Sequence, residues 1–161
     1  MSEGSKGIII AFYVAFSKGK ADEMVSHYHN DIVFEDPAFG QLKGEEAKAM
    51  WKMLIERSKG NIKITFSQVE ADAAKGSALW EAAYVFGPDK RKVVNKIIAT
   101  FEIKDGKIIR HTDRFEVWKW ASQALGWKGW LLGWTPVMKK QIQKQSRALL
   151  KKYLEKGVSK L

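Results

Sequence analysis

The chain is 161 residues long, 45% hydrophobic and 12% aromatic, which suits one compact domain with a real core. It has no cysteine, and its three histidines, His27, His29 and His111, include no i, i+4 pair; disulfides, thiolate metal sites, cysteine nucleophiles and a zinc-protease helix are therefore excluded. The formal charge of +10 is uneven: residues 118–161 carry ten Lys or Arg and one acid, a net of +9, while residues 1–117 carry a net of +1.

The apolar run within residues 6–16, KGIIIAFYVAF, is too short to span a bilayer, and the Ser17-Lys18-Gly19-Lys20 that follows makes a poor cleavage site. It reads as a buried first helix of a cytoplasmic protein. A second helix is expected from Ala21, with Ala21, Met24, Val25 and Tyr28 at i, i+3, i+4, i+7, ending at His29-Asn30-Asp31. Ile32–Glu35 follows as a short strand stopped by Asp36-Pro37, because proline lacks a donor and biases its predecessor away from helix. A loop through Gly40 and Gly44 then leads to a third helix from Glu45, with Ala47, Met50, Trp51 and Leu54 as its apolar stripe. Strands are expected near 62–72 and 77–86; on the second, Trp80, Ala82, Tyr84 and Phe86 share a face.

Residues 93–120 organise the chain as two strands around Lys104-Asp105-Gly106. Val93, Asn95, Ile97, Ala99, Phe101 and Ile103 share the inner face of the first arm, and Ile109, His111, Asp113, Phe115 and Val117 that of the second. A two-residue Asp-Gly loop would pair odd with even residues and set Phe101 against Arg110. A three-residue loop with Gly106 as a left-handed bulge instead predicts Phe101 opposite Ile109, Ala99 opposite His111, Ile97 opposite Asp113 and Asn95 opposite Phe115. Asn95, His111 and Asp113 then share an apolar surface, where each unpartnered polar group costs about 1–3 kcal/mol. Either they satisfy one another or they line a wet pocket.

The phrase Phe34-Glu35-Asp36-Pro37-Ala38-Phe39-Gly40 after two helices, with long strands ending in His111-Thr112-Asp113-Arg114-Phe115, resembles the nuclear transport factor two-like superfamily over residues 7–120. The relatives include ketosteroid isomerase, limonene epoxide hydrolase and SnoaL-like polyketide cyclases. The resemblance implies an α+β fold: a cone-shaped, curved antiparallel or mixed sheet wrapped by N-terminal helices around an apolar internal pocket. It places Asp36 where ketosteroid isomerase keeps its base. The other two roles do not carry over, since Phe12 falls at the tyrosine position, with Tyr13 one residue round the helix, and Ala99 at that of the second acid.

The candidate catalytic residues are thus Asp36, His111 and Asp113, with Tyr84, Asn95, Trp80 and Phe115 as candidate substrate-binding wall. A carboxylate beside an imidazole can hold its tautomer and raise its basicity for general-base work; the same residues can equally form a satisfied structural network. Two functions stay open: a pocket for an apolar or ring-containing molecule with isomerase, cyclase or epoxide-hydrolase-like activity, or a non-catalytic dimeric binding or scaffold domain. No metal or cofactor is called for; the expected partners are a small apolar molecule and a second copy of the chain.

Residues 1–120 are read as the main domain and 121–161 as a helical C-terminal extension packed on it or on a partner subunit. Trp118, Trp120, Trp127, Trp130 and Trp134 are interleaved with aliphatic residues, and Thr135-Pro136 opens a last helix with threonine as N-cap. So much apolar surface is expected to be buried as a lid or brace near the open end of the cone. Binding to an anionic membrane or to nucleic acid ranks below packing.

Overall fold

A computed structural model describes residues 2–158. Helices α1 (Ser2–Ser17) and α2 (Ala21–Val25) lead into strands β1 (Tyr28–Asp36) and β2 (Gly40–Lys43). Helix α3 (Glu45–Ser58) precedes β3 (Lys63–Ala71), β4 (Lys75–Phe86), β5 (Arg91–Lys104) and β6 (Lys107–Arg114). Helices α4 (Val117–Leu125), α5 (Trp127–Leu132) and α6 (Pro136–Val158) end the chain. One six-stranded sheet runs β2-β1-β6-β5-β4-β3; β1 is parallel to β6 and the other pairs are antiparallel. The fold is the expected α+β architecture, a curled, unclosed mixed sheet with helices against its inner face.

Helix α1 fills the concavity because Ile9, Phe12, Tyr13 and Phe16 recur at i, i+3, i+4, i+7 and are all buried. It packs on β3 and β4, and approaches so closely at Gly76 that a Cβ there would lie 2.4 Å from the Ile9 Cδ1. Helix α3 contributes Ala47, Met50 and Trp51 as expected, but Met53 is buried in place of the exposed Leu54.

Three local expectations are corrected. Helix α2 stops at Val25, and Tyr28 begins a strand: its backbone lies beside Ile108 of β6, so sheet pairing overrides the helical spacing. The expected loop at Gly40 contains β2, which pairs Asp36 with Gly40 and Phe34 with Leu42. The β5–β6 register is two residues away from the expected one. Asp105 and Gly106, both at positive φ, form a two-residue turn, with Lys104 opposite Lys107 and Ile103 opposite Ile108. A bulge next restores parity by leaving Ile109 over, so that Phe101 faces His111 and Ala99 faces Asp113. Ala99, Phe101, His111 and Asp113 thus keep the expected inner face, but Ile108 replaces Ile109 in the core. Strand β6 ends at Arg114, so the expected pairing of Asn95 with Phe115 does not form, and Val117 opens α4 instead of continuing the strand.

The division expected at 120/121 falls within α4, which packs along β5. There β6 has ended, and the Gln123 side-chain oxygen accepts the exposed Val94 N–H at 2.8 Å. Thr135 caps α6 as expected, its Oγ1 accepting the Met138 N–H at 3.2 Å. Helix α6 returns over α3: Leu150 enters the core, and the Tyr153 hydroxyl donates to Glu56 at 3.1 Å. It also holds the β1–β2 turn, Gln143 donating to the Pro37 carbonyl and Arg147 to that of Gln41. The brace expected of the C-terminal segment is thus made by α6, whereas of the five tryptophans expected to be buried with it only Trp120 is half-buried: Trp118 is exposed, and Trp127, Trp130 and Trp134 are 70%, 58% and 72% exposed.

Candidate functional site

The alternation of β6 aims His111 and Asp113 at the same interior, and both are buried, with 0% and 3% of their surface exposed. His111 Nε2 lies 2.8 Å from Asp113 Oδ1, and His111 Nδ1 lies 2.7 Å from the Tyr28 hydroxyl. The Trp51 indole N–H donates to the Tyr28 oxygen at 2.8 Å, and the Trp80 indole N–H to Asp113 Oδ1 at 3.3 Å. These neighbours assign the tautomer. With Asp113 Oδ1, which also accepts from Trp80, as the acceptor, Nε2 carries the proton and Nδ1 accepts from Tyr28, whose oxygen is left for Trp51. Every donor in the chain Trp51–Tyr28–His111–Asp113 then points one way.

Aromatic rings enclose this chain. Around His111, the Phe101 ring centre is 4.5 Å away, Phe34 5.1 Å, Phe12 5.5 Å and Trp51 5.9 Å, the last nearly coplanar-stacked at 10°. Burial, reinforced by the Asp113 charge, pushes the Tyr28 hydroxyl well above the usual tyrosine range, so it stays a donor.

Tyr13 is the exception to this satisfied interior. Its hydroxyl is fully buried and, among the described residues, is the one buried side-chain polar atom without a hydrogen-bond partner. Burial raises its pKa well above the usual value and the Asp113 charge raises it further, which places the two groups in electrostatic reach. Its ring packs against Phe12, Phe66, Trp80 and Phe101; of these four only Phe66 is not buried.

Asp36 sits at the end of β1, on the inner face it shares with Phe34, which lies beside His111 of β6. Its Oδ1 accepts the Phe39 N–H at 2.6 Å. Burial pushes this carboxyl up to about 7, against the lowering by the Phe39 N–H, and the charge of Asp113 adds to the rise.

The sequence-predicted residues therefore divide. His111, Asp113 and Trp80 come into direct contact, with Asp36 in electrostatic range. Asn95 takes no part in the hydrogen-bonded chain, and the Tyr84 hydroxyl accepts instead from the Trp120 indole at 2.7 Å. Asn95, Trp80 and Phe115 contribute to a cleft of about 970 Å3, but its other walls are outward-facing residues such as Leu79, Glu81, Lys96 and Ile98, and none of Asp36, His111 and Asp113 lines it. Tyr28, Trp51 and Tyr13 were not expected as site residues. Tyr28 and Trp51 read as helix stripe, and Tyr13 as turned off the Phe12 face, although its spacing from Ile9 and Phe16 would have placed it inward. Among the described residues no group of three His, Asp or Glu side chains is placed to hold a metal ion.

The family model of the SnoaL-like domain matches residues 9–111. Among solved structures, a protein from Xanthomonas campestris pv. campestris assigned as a polyketide cyclase is 19% identical, over 75% of this chain and 96% of that one, with a TM-score of 0.61. An LEH-like epoxide hydrolase from Mycobacterium tuberculosis is 22% identical over 81% and 94%, with a TM-score of 0.61. An NTF2-like protein from Burkholderia xenovorans LB400 is 13% identical over 77% and 98%, with a TM-score of 0.62. No curated protein sequence matches the chain.

Proposed function

Because the chain belongs to the SnoaL-like domain family of the nuclear transport factor two-like superfamily, we propose that its aromatic interior binds a small, ring-containing apolar molecule, with Asp113 as general base and Tyr13 as hydrogen-bond donor. The observation that carries this reading is the buried Tyr13 hydroxyl, a donor without a partner that feels the charge of a buried carboxylate, Asp113. An unmade hydrogen bond of this kind costs about 1–3 kcal/mol, and a ligand oxygen accepting from Tyr13 would recover it. Asp113 Oδ1 is taken by His111 and Trp80, which leaves Oδ2 to accept a proton from the ligand. Proton removal by Asp113, with negative charge developing on an oxygen held by Tyr13, is the chemistry of enolising isomerisation and ring closure; water activation at an epoxide uses the same two groups.

His111 is a positioning residue in this scheme. It fixes Asp113 from one side, while Tyr28 fixes its tautomer from the other. Entry is assigned to Phe66, the one ring around Tyr13 that is not buried. The names of the cyclase and epoxide hydrolase neighbours favour such substrates without choosing among them.

The test is binding and turnover of a panel comprising a cyclic epoxide, a cyclic ketone and a polycyclic phenol, followed by ligand-detected NMR and product analysis. At least one class should bind, Asp113→Asn should abolish any turnover, and Phe66→Ala should speed association. Failure of all three classes to bind, or unchanged turnover in Asp113→Asn, would count against the reading. A second reading, a non-catalytic dimeric domain, is favoured by the exposed Val94 and Ile98 beside the outward cleft. It predicts that Ile98→Lys converts a dimer to a monomer in light scattering.

A further inference from the structure

The exposed surface of α5 follows from how the helix is seated. Gly129 and Gly133, both buried, face α4: a Cβ on Gly129 would lie 1.9 Å from the Ala121 carbonyl oxygen, and one on Gly133 would lie 2.8 Å from the Ala121 Cβ. Only glycine lets the two backbones approach this closely. With the small residues turned inward, Trp127, Trp130, Leu131 and Trp134, at i, i+3, i+4, i+7, are turned outward. All four are exposed, as are Leu132 and Val137, the latter at 76%. The Trp118 indole ties the helix down by donating to the Trp130 carbonyl at 2.8 Å.

Every charged residue of α5 and of the first turn of α6 is basic. Lys128, whose Nζ lies 5.8 Å from the Trp127 ring centre, and Lys139 and Lys140 in the first turn of α6 are exposed. No acidic residue occurs between Glu116 and Glu155. A ridge of indoles and aliphatic side chains flanked by lysines matches the chemistry of a bilayer interface, where indoles sit at headgroup depth and lysines meet anionic headgroups. A second copy is a poorer occupant, because an isologous contact would set lysine against lysine with no carboxylate to meet it. Nucleic acid could stack on the indoles but would leave Leu131, Leu132 and Val137 against water. No described helix is long and apolar enough to cross a membrane, so the ridge would lie on the surface.

We infer that the α5 ridge and the start of α6 dock the protein onto anionic lipid bilayers. The test is vesicle flotation of the full chain, using phosphatidylcholine alone or mixed with phosphatidylglycerol. Wild type should float with the anionic vesicles and stay behind with the neutral ones. Trp127→Ser/Trp130→Ser should lower the partition coefficient by about tenfold or more, since binding scales with the apolar area inserted. Lys128→Gln/Lys139→Gln/Lys140→Gln should lower it by about fivefold per lysine. Both sets change exposed side chains, and an unaltered melting temperature verifies their folding. The inference is overturned if wild type fails to float with anionic vesicles, if it floats equally with neutral ones, or if the tryptophan pair floats like wild type. It is equally overturned if the ridge instead binds single-stranded DNA, or if the tryptophan substitutions only dissociate a dimer.

Discussion

Three groups decide the electrostatics of the interior. Asp113 is held by two N–H donors, Tyr13 lacks an acceptor, and Asp36 stands close enough to feel Asp113. The Asp36 carboxyl moves from an ordinary 3.8 to about 7 on folding, so between those values the native state binds more protons than the unfolded chain. Its contribution to stability is therefore highest below about pH 4 and declines as pH rises towards and past 7. Asp36→Asn removes this titration. The substitution should be close to neutral at pH 4 and stabilising at pH 8, by at most about 4 kcal/mol, in parallel urea titrations of the two proteins. A stability difference that does not change with pH would show that Asp36 is not held protonated. That His111 and Asp113 share an inner face was legible in the sequence, because a strand's period of two leaves no choice. Their partners were not. Tyr28 and Trp51 belong to elements distant in sequence, and only the parallel pairing of β1 with β6 brings Tyr28 to His111.

Among the elements, the hairpin shows what a period can and cannot decide. Alternation fixed which side chains of β5 and β6 face inward, but a bulge is a one-residue decision between competing turn geometries, and the Ile108-Ile109 pair offered two equivalent apolar residues for the core. The backbone chose a two-residue turn and expelled Ile109. The C-terminal helices carry a similar lesson. A count of tryptophans pointed to burial, whereas the packed face of α5 is made of glycine. Gly129→Ala should therefore be costly, since its Cβ would strike backbone rather than a side chain that can yield. The loss is expected to be about 1–3 kcal/mol in chemical denaturation, together with release of α5 detected as faster amide exchange at residues 127–133. A Cβ on Gly157 in α6 would meet nothing within 4 Å, and Gly157→Ala should be neutral or slightly stabilising.

At the scale of the molecule, one sheet wraps an aromatic core, α1 fills its concavity and α6 clamps α3 to the β1–β2 turn beside Asp36. The superfamily and the α+β layering were legible because they rest on element order and on the EDP-containing turn. The closure of the interior was not, because it depends on how Phe12, Phe34, Trp51 and Phe101 pack around His111, which no spacing rule predicts. The clamp should be required for stability: removing residues 136–161 takes Leu150 from the core and frees the β1–β2 turn, so the melting temperature should drop markedly. A truncated chain that melts like the full one would show that α6 rests on the domain without supporting it.

The proposed function requires the Tyr13 hydroxyl to be an open donor facing a ligand chamber. Its most direct test is the melting temperature of Tyr13→Phe against wild type, measured without ligand and with whichever ring compound of the panel binds. Removing a buried hydroxyl that has no partner should leave the ligand-free melting temperature unchanged or raise it, while the upward shift given by the ligand should shrink or vanish. A ligand-free protein that melts several degrees lower, with the ligand-induced shift intact, would show that the hydroxyl already has a structural partner and that the chamber is core.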